Sequence, residues 1–213
     1  MGAIMKKWID VTMSIFPEMM VYKNKDEKKP KFTVRATHEA NGHFESSIYM
    51  DLHTGTHIDM PLHMIENGTN SDDFDLDLVN GICTVLDFSK EERHEVDEAF
   101  LSQFEINKGD IIIIKTKNAY DSEFNLEYDY LDASGATYLH SKGIKTVGID
   151  ALGIERSQAG HPTHSILLGN DIYIIEGLAL KTIEAGKYEL LCLPLKILGV
   201  EGLPARALMR KVV

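Results

Sequence analysis

"HTGTHIDMPLH", residues 53–63, places three histidines, an aspartate, a glycine and a proline within eleven positions. On a helix, His53 and His57 would share a face at i, i+4. Asp59 would then point elsewhere, and Gly with β-branched Thr is poor helix material. In an extended chain the side chains alternate, so His53, Gly55, His57, Asp59, Pro61 and His63 face one way. Leu52, Thr54, Thr56, Ile58, Met60 and Leu62 face the other, and that side is mostly apolar. The extended reading sorts every residue, and it makes this a β-rich chain with a polar site on one strand face.

Two imidazoles and a carboxylate on one side are ligands of the kind that hold Zn²⁺ or Mn²⁺. Gly55 leaves that face bare between the histidines, where an ion or substrate could approach the backbone. Pro61 ends regular pairing. His63 lies too far along a straight strand to be an obvious ligand, and is placed instead as a proton carrier at the rim. Three protein ligands leave Zn²⁺ an open position, the catalytic rather than the structural pattern.

A second cluster occurs in "GHPTHSILLGNDIYIIEGLAL", residues 160–180. His161 and His164 precede an apolar run, and Glu176 shares a strand face with Ile172 and Ile174. A carboxylate there carries a large desolvation cost unless a positive charge meets it, either a metal ion or a buried Lys or Arg. The sequence does not rank His161 against His164.

The remaining composition excludes several function classes. Lys and Arg number 22 against 33 Asp and Glu, a formal charge of −11, which disfavours a nucleic-acid or anionic-membrane partner. "KNKDEKK" (23–29) is the one basic run, and it reads as a solvated loop because it also holds two acids. Cys83 and Cys192 sit in apolar stretches, as buried free thiols do in a reducing compartment. "MGAIMKKWIDVTMSIF" lacks a secretory pattern, and 18 apolar residues nowhere run together, so a soluble cytoplasmic protein is expected. No GxSxG elbow is present for a serine hydrolase.

Strands are predicted at 8–12, 31–39, 43–59, 81–88, 109–116, 144–150, 173–180 and 188–195, with a hairpin turn at "ANG" (40–42). Helices are predicted over 92–105, where Val96, Phe100 and Phe104 make one stripe, and from Asp132 as N-cap to Gly143 as C′ residue. With no linker, repeat or low-complexity segment, one α/β domain spanning 1–213 is expected.

"HTGTHIDMPLH" resembles the HxGTHxDxPxH signature of the metal-dependent cyclase family, which includes bacterial kynurenine formamidase and isatin hydrolase. "HSILLGNDIYIIEGLAL" is similar to that family's second metal-binding segment. "IDVTMSIFPEMMVY" and "GIKTVGID" are weaker matches to its opening segment and its helix-strand unit. The resemblance implies one metal held by His53, His57 and Asp59, and a second held by Asp59 and His164, with Glu176 reaching both. His63 would be the catalytic acid and base, and Tyr22 would stand near the place of a Trp that packs on the substrate ring. It further implies a β/β/α swivelling-type fold with a barrel-like mixed sheet, assembled as a homodimer or homotetramer, and two divalent ions per subunit, zinc first and manganese second. The implied activity is hydrolysis of a C–N amide bond, with N-formylkynurenine, a tryptophan catabolite, first among substrates. Another cyclic amide of the isatin kind, or a metal-binding protein without turnover, are the alternatives. Where the family often has Ser and Asp after "GID", this chain has Gly153 and Glu155, so substrate choice transfers less well than metal chemistry.

Overall fold

Four consecutive isoleucines, Ile111–Ile114, are all fully buried, so the strand that carries them must be covered on both faces. A closed barrel with helices packed outside it does this. The computed structural model describes residues 7–212. Met1–Lys6 and Val213, the ends of the expected domain and the start of the "MGAIMKKWIDVTMSIF" segment, lie outside the described residues. Among the described residues the strands are β1 (Ile9–Asp10), β2 (Lys31–Ala36), β3 (Glu45–Tyr49), β4 (His57–Asp59), β5 (Gly81–Asp87) and β6 (Glu95–Val96). They continue with β7 (Ile111–Lys115), β8 (Tyr130–Leu131), β9 (Thr146–Ile149), β10 (Tyr173–Glu176), β11 (Gly186–Pro194) and β12 (Gly202–Lys211). The helices are α1 (His38–Asn41), α2 (Glu98–Leu101), α3 (Ala133–Lys142) and α4 (Pro162–Leu168).

Seven strands close in the order β12-β11-β5-β7-β9-β10-β4, with β4 pairing back onto β12 at Gly202–Pro204 and β1 pairing farther along β12, at Leu208 and Met209. The run β5-β7-β9-β10 is parallel and the other pairings are antiparallel. This is the mixed, barrel-like α/β sheet that the family resemblance implies. Alternation divides the core in two. Ile58, Ile111, Ile113, Ile175, Leu190 and Cys192 belong to one cluster inside the barrel. Ile112, Ile114, Val147, Ile149 and Ile174 face outward against Leu139 of α3 and Leu167 of α4. Both cysteines are free and buried, and burial pushes each thiol up to about 12, so neither is a nucleophile.

Helix α3 has the ends read from sequence: the Asp132 side chain accepts from Gly135 N, and Gly143 adopts φ +69°. The helix expected over 92–105 does not form as one element. Glu95–Val96 pairs in parallel with Tyr130–Leu131, and Asp97 caps only the short α2. The apolar stripe is still buried, since Val96 and Phe100 are core and the Phe100 and Phe104 rings meet at 5.1 Å. The expected strand 43–59 is two strands with a turn between them. The β12 segment carries no strand signal in sequence, because "GLPARALMRK" contains proline and helix-forming residues; here Pro204 pairs beside His57 on β4.

Strands β2 and β3 form the expected hairpin, standing apart from the barrel as a two-stranded sheet. Phe32 pairs with Ile48, Val34 lies two residues along the same face, and all three side chains are exposed.

Two glycines join the halves of the chain. Gly55 turns the backbone at φ +65° and Gly177 does so at φ +67° immediately after Glu176. A Cβ on Gly177 would collide with the Gly55 carbonyl, and the Thr56 hydroxyl donates to the Gly177 carbonyl at 2.5 Å. Gly55 is therefore bare for a turn and a close backbone approach, not for access by an ion; a Cβ there would meet Met19 Cε at 3.3 Å. Gly177→Ala should destabilise the fold by about 3 kcal/mol or more, combining a clash with left-handed strain. Gly42→Ala, also at positive φ but in open space, should cost about 1 kcal/mol. Chemical unfolding of both variants distinguishes these outcomes.

Candidate metal centre

Ile58 points into the barrel, so its neighbours His57 and Asp59 point out, toward α4. Opposite them on β10, Glu176 pairs in register with His57, and Ile174 with Asp59. His164, on the first turn of α4, closes the site from above. Hence both ends of the chain's ligand-bearing sequence meet on one outer face of the barrel wall.

The distances define a cluster around Asp59, which has no solvent exposure. Its Oδ1 lies 2.9 Å from His53 Nδ1 and 3.3 Å from His57 Nε2, and its Oδ2 lies 3.8 Å from His164 Nε2. Glu176 Oε2 is 3.5 Å from His57 Nε2 and Oε1 is 3.5 Å from His164 Nε2. The backbone N–H of Ile154 donates to Glu176 Oε1 at 2.6 Å and fixes that carboxylate. Yet His53 Nε2, His57 Nε2 and both Asp59 oxygens are buried without a hydrogen-bond partner. Buried polar atoms left in that state are costly, and a cation shared among them removes the cost. The nitrogen and oxygen donors fit a divalent metal ion.

The expected straight strand from His53 to His63 is not observed. Residues 52–56 turn, only 57–59 are paired, and Pro61–His63 is a 3-10 turn. The turn folds His63 back instead of carrying it away. Its ring centroid lies 4.2 Å from that of His53 and 5.8 Å from that of His164. Two donor groups follow, each with ligand atoms within 4.8 Å of one another: His53, His57 and Asp59, and Asp59, His63 and His164. These side chains gather through turns on either side of β4, not along one straight strand.

A third group, Glu155 with His161 and His164, was not read from sequence. Glu155 is buried, lies 2.5 Å from His161 Nδ1 and 3.2 Å from His164 Nδ1, and accepts from Thr163 N at 2.8 Å. It holds the far side of the His164 ring, so Nε2 is turned toward Asp59 and Glu176. His161 sits in the left-handed region at φ +51°, exposed, with Glu155 as its partner. The only sequence signal for Glu155 was its departure from the family pattern. Gly153, the other departure, leaves room for aromatic neighbours: a Cβ there would meet Tyr22 at 3.1 Å and the Tyr128 hydroxyl at 3.0 Å.

Beside the cluster lies a cavity of about 310 Å³ whose walls include His53, His63, His164, Glu176 and Tyr22. That volume suits a small organic molecule. Lys23, Lys25 and Lys28 also line it, so the basic run expected to be a solvated loop borders the site.

Residues 9–156 match the family model for cyclases. The chain belongs to the cyclase family. Among curated cyclase-family relatives, kynurenine formamidase of Salinibacter ruber is 30% identical over 95% of this chain and 96% of its own. A solved structure described as a potential metal-dependent hydrolase with cyclase activity is 42% identical, with a TM-score of 0.89 over 97% of this chain and 98% of its own. Isatin hydrolase A from Labrenzia aggregata shares the cyclase fold at a TM-score of 0.83 and 21% identity, covering 97% and 94% of the two chains. No helix of the described residues is long and apolar enough to cross a membrane.

Charge in the cluster is balanced by protons when no cation is present. Burial opposes a charge on His57, but Asp59 and Glu176 outweigh it and push the imidazole up to about 9. Burial likewise opposes a charge on His164, which Glu155, Glu176 and Asp59 push up to about 10. A divalent ion must displace those protons, so its apparent affinity should rise as pH rises from about 6 to 9. Calorimetric titration with Mn²⁺ in buffers of different ionisation enthalpy should show proton release on binding. An affinity independent of pH would contradict a shared site.

Proposed function

We propose that this chain is a metal-dependent hydrolase that cleaves the C–N amide bond of a small aromatic formamide, an arylformamidase-type activity with N-formylkynurenine (giving kynurenine and formate) as the reference substrate. The observation that carries this reading is the convergence of five ligand-type side chains beside a cavity whose wall also holds His63, the further imidazole that sits against the cluster. The whole chain, residues 1–213, is read as one cyclase domain.

His53, His57 and Asp59 would hold one ion, and Asp59 with His164 a second, Glu176 reaching both; zinc is the first choice and manganese the second. When bound, the metal supplies Lewis acidity for the substrate carbonyl and lowers the pKa of water. His63 does the proton work. Burial lowers its pKa despite the attraction of Asp59 and Glu176, so at neutral pH the ring is uncharged and ready to accept a proton. It takes that proton from the attacking water and returns it to the departing nitrogen. Tyr22 forms the wall against which a substrate ring packs, itself braced edge-on by Phe124 at 5.1 Å. Glu155 keeps His164 oriented and need not touch the substrate.

His63→Ala should lower kcat toward N-formylkynurenine by about 100-fold or more while the protein keeps its metal. Arrival of this variant without metal would make His63 a ligand instead. Glu176→Gln should lose metal on dialysis, read by elemental analysis, whereas unchanged stoichiometry would remove it from the ligand set.

The protein is further proposed to act as a homodimer or homotetramer in the cytoplasm. A lone two-stranded hairpin is marginal in water, and exposed Phe32, Val34 and Ile48 give β2–β3 an apolar face that a second copy would cover. Replacing all three by Ser should shift the mass measured by light scattering to that of one chain. An unchanged mass would place the interface elsewhere.

A further inference from the structure

The cavity over the metal centre is lined at its mouth by Lys23, Lys25 and Lys28, in a chain of formal charge −11. Their local placement is specific. Lys23 and Asn24 are consecutive non-glycine residues at positive φ, +57° and +52°, a strained pair. Asn24 Nδ2 donates to the Phe124 carbonyl at 3.0 Å and holds the turn, while Tyr22 packs on the Phe124 ring. Lys28 is steadied by Asp51 at 3.3 Å and Lys25 reaches Glu27 only at 4.0 Å. Lys23 lies 5.1 Å from the Tyr22 ring centroid and has no ion-pair partner among the described residues.

The acids lining the same cavity are Glu155 and Glu176, both buried on its floor and engaged by histidines. The two carboxylates beside these lysines, Asp51 and Glu27, face Lys28 and Lys25 themselves, so neither is left free to receive an ammonium group, and Lys23 has no carboxylate partner among the described residues. We propose that Lys23, Lys25 and Lys28 form an anion-receiving rim, and that the substrate is an aryl amide bearing a carboxylate and no balancing ammonium. The ring lies along Tyr22, the amide faces the metal end, and the carboxylate faces the lysines. This rests on the hydrolase reading above and narrows its substrate class, favouring a net anion over a zwitterion such as N-formylkynurenine. Exposed ammonium groups act on such a ligand as point charges screened by salt.

The test uses the metal-loaded protein with 2-formamidobenzoate, its methyl ester and N-formylkynurenine. The free acid should have a kcat/KM about ten-fold above both others at low salt. That advantage should shrink as ionic strength rises, and it should vanish in a Lys23→Gln, Lys25→Gln, Lys28→Gln variant chiefly through KM. Binding of benzenesulfonate, an anion that ligates metals poorly, is followed by calorimetry in parallel, and its Kd should rise about ten-fold in the same variant. Preference for the ester or the zwitterion, or an unchanged benzenesulfonate Kd, would overturn the rim. Failure to hydrolyse any of the three amides would count against the hydrolase reading, and the benzenesulfonate titration would still decide the rim.

Discussion

A carboxylate with no access to water, Asp59, is the constraint around which the rest of the molecule is arranged. An ionised group there is tolerable only when opposite charge surrounds it, and three imidazoles approach its two oxygens from two distant segments of chain. The barrel supplies those approaches. Strand β4 brings His57 and Asp59 outward on one pleat, β10 answers with Glu176 in register, and α4 lowers His164 onto them. Two of the rings are then held on their far side: Gly55's carbonyl lies 2.9 Å from His57 Nδ1, and Glu155 takes His164. Preorganisation of this kind lets a cation enter without rearranging its ligands.

The gathering of these side chains is legible in sequence because residue type points to it. Histidine, aspartate and glutamate at short spacing have few structural reasons to gather, and His53, His57, Asp59, His164 and Glu176 do meet. What spacing alone could not convey was conformation. A strict alternation treated Gly55 as a gap on a strand, whereas its positive φ makes it a corner, and a 3-10 turn after Met60 returns His63 to the cluster. Glu155 was opaque for a different reason, since its role depends on the start of α4 wrapping back over it. The lysines at 23–28 looked like solvent-facing charge because nothing local reveals that they border a cavity built from residues far along the chain.

The fold was readable to a similar depth. Runs such as "IIII" announce a strand buried on both faces whatever surrounds them. Val96 shows the opposite case, because its four-residue spacing to Phe100 satisfies a helix, yet pairing with Leu131 captures it into a strand. In β12, intrinsic preference for helix is overridden by two neighbouring strands that need a partner.

Closure by β12 has a consequence for biosynthesis. Strand β4 finds its neighbours at 173–176 and 202–211, more than a hundred residues downstream. A growing polypeptide therefore emerges with His57 and Asp59 unpaired, and these remain so until Glu176 has been translated, with the second neighbour waiting for Pro204. Such long-range pairing makes folding slow and late, and it leaves the ligand-bearing segment exposed to chaperones, and to stray cations, for most of its time on the ribosome.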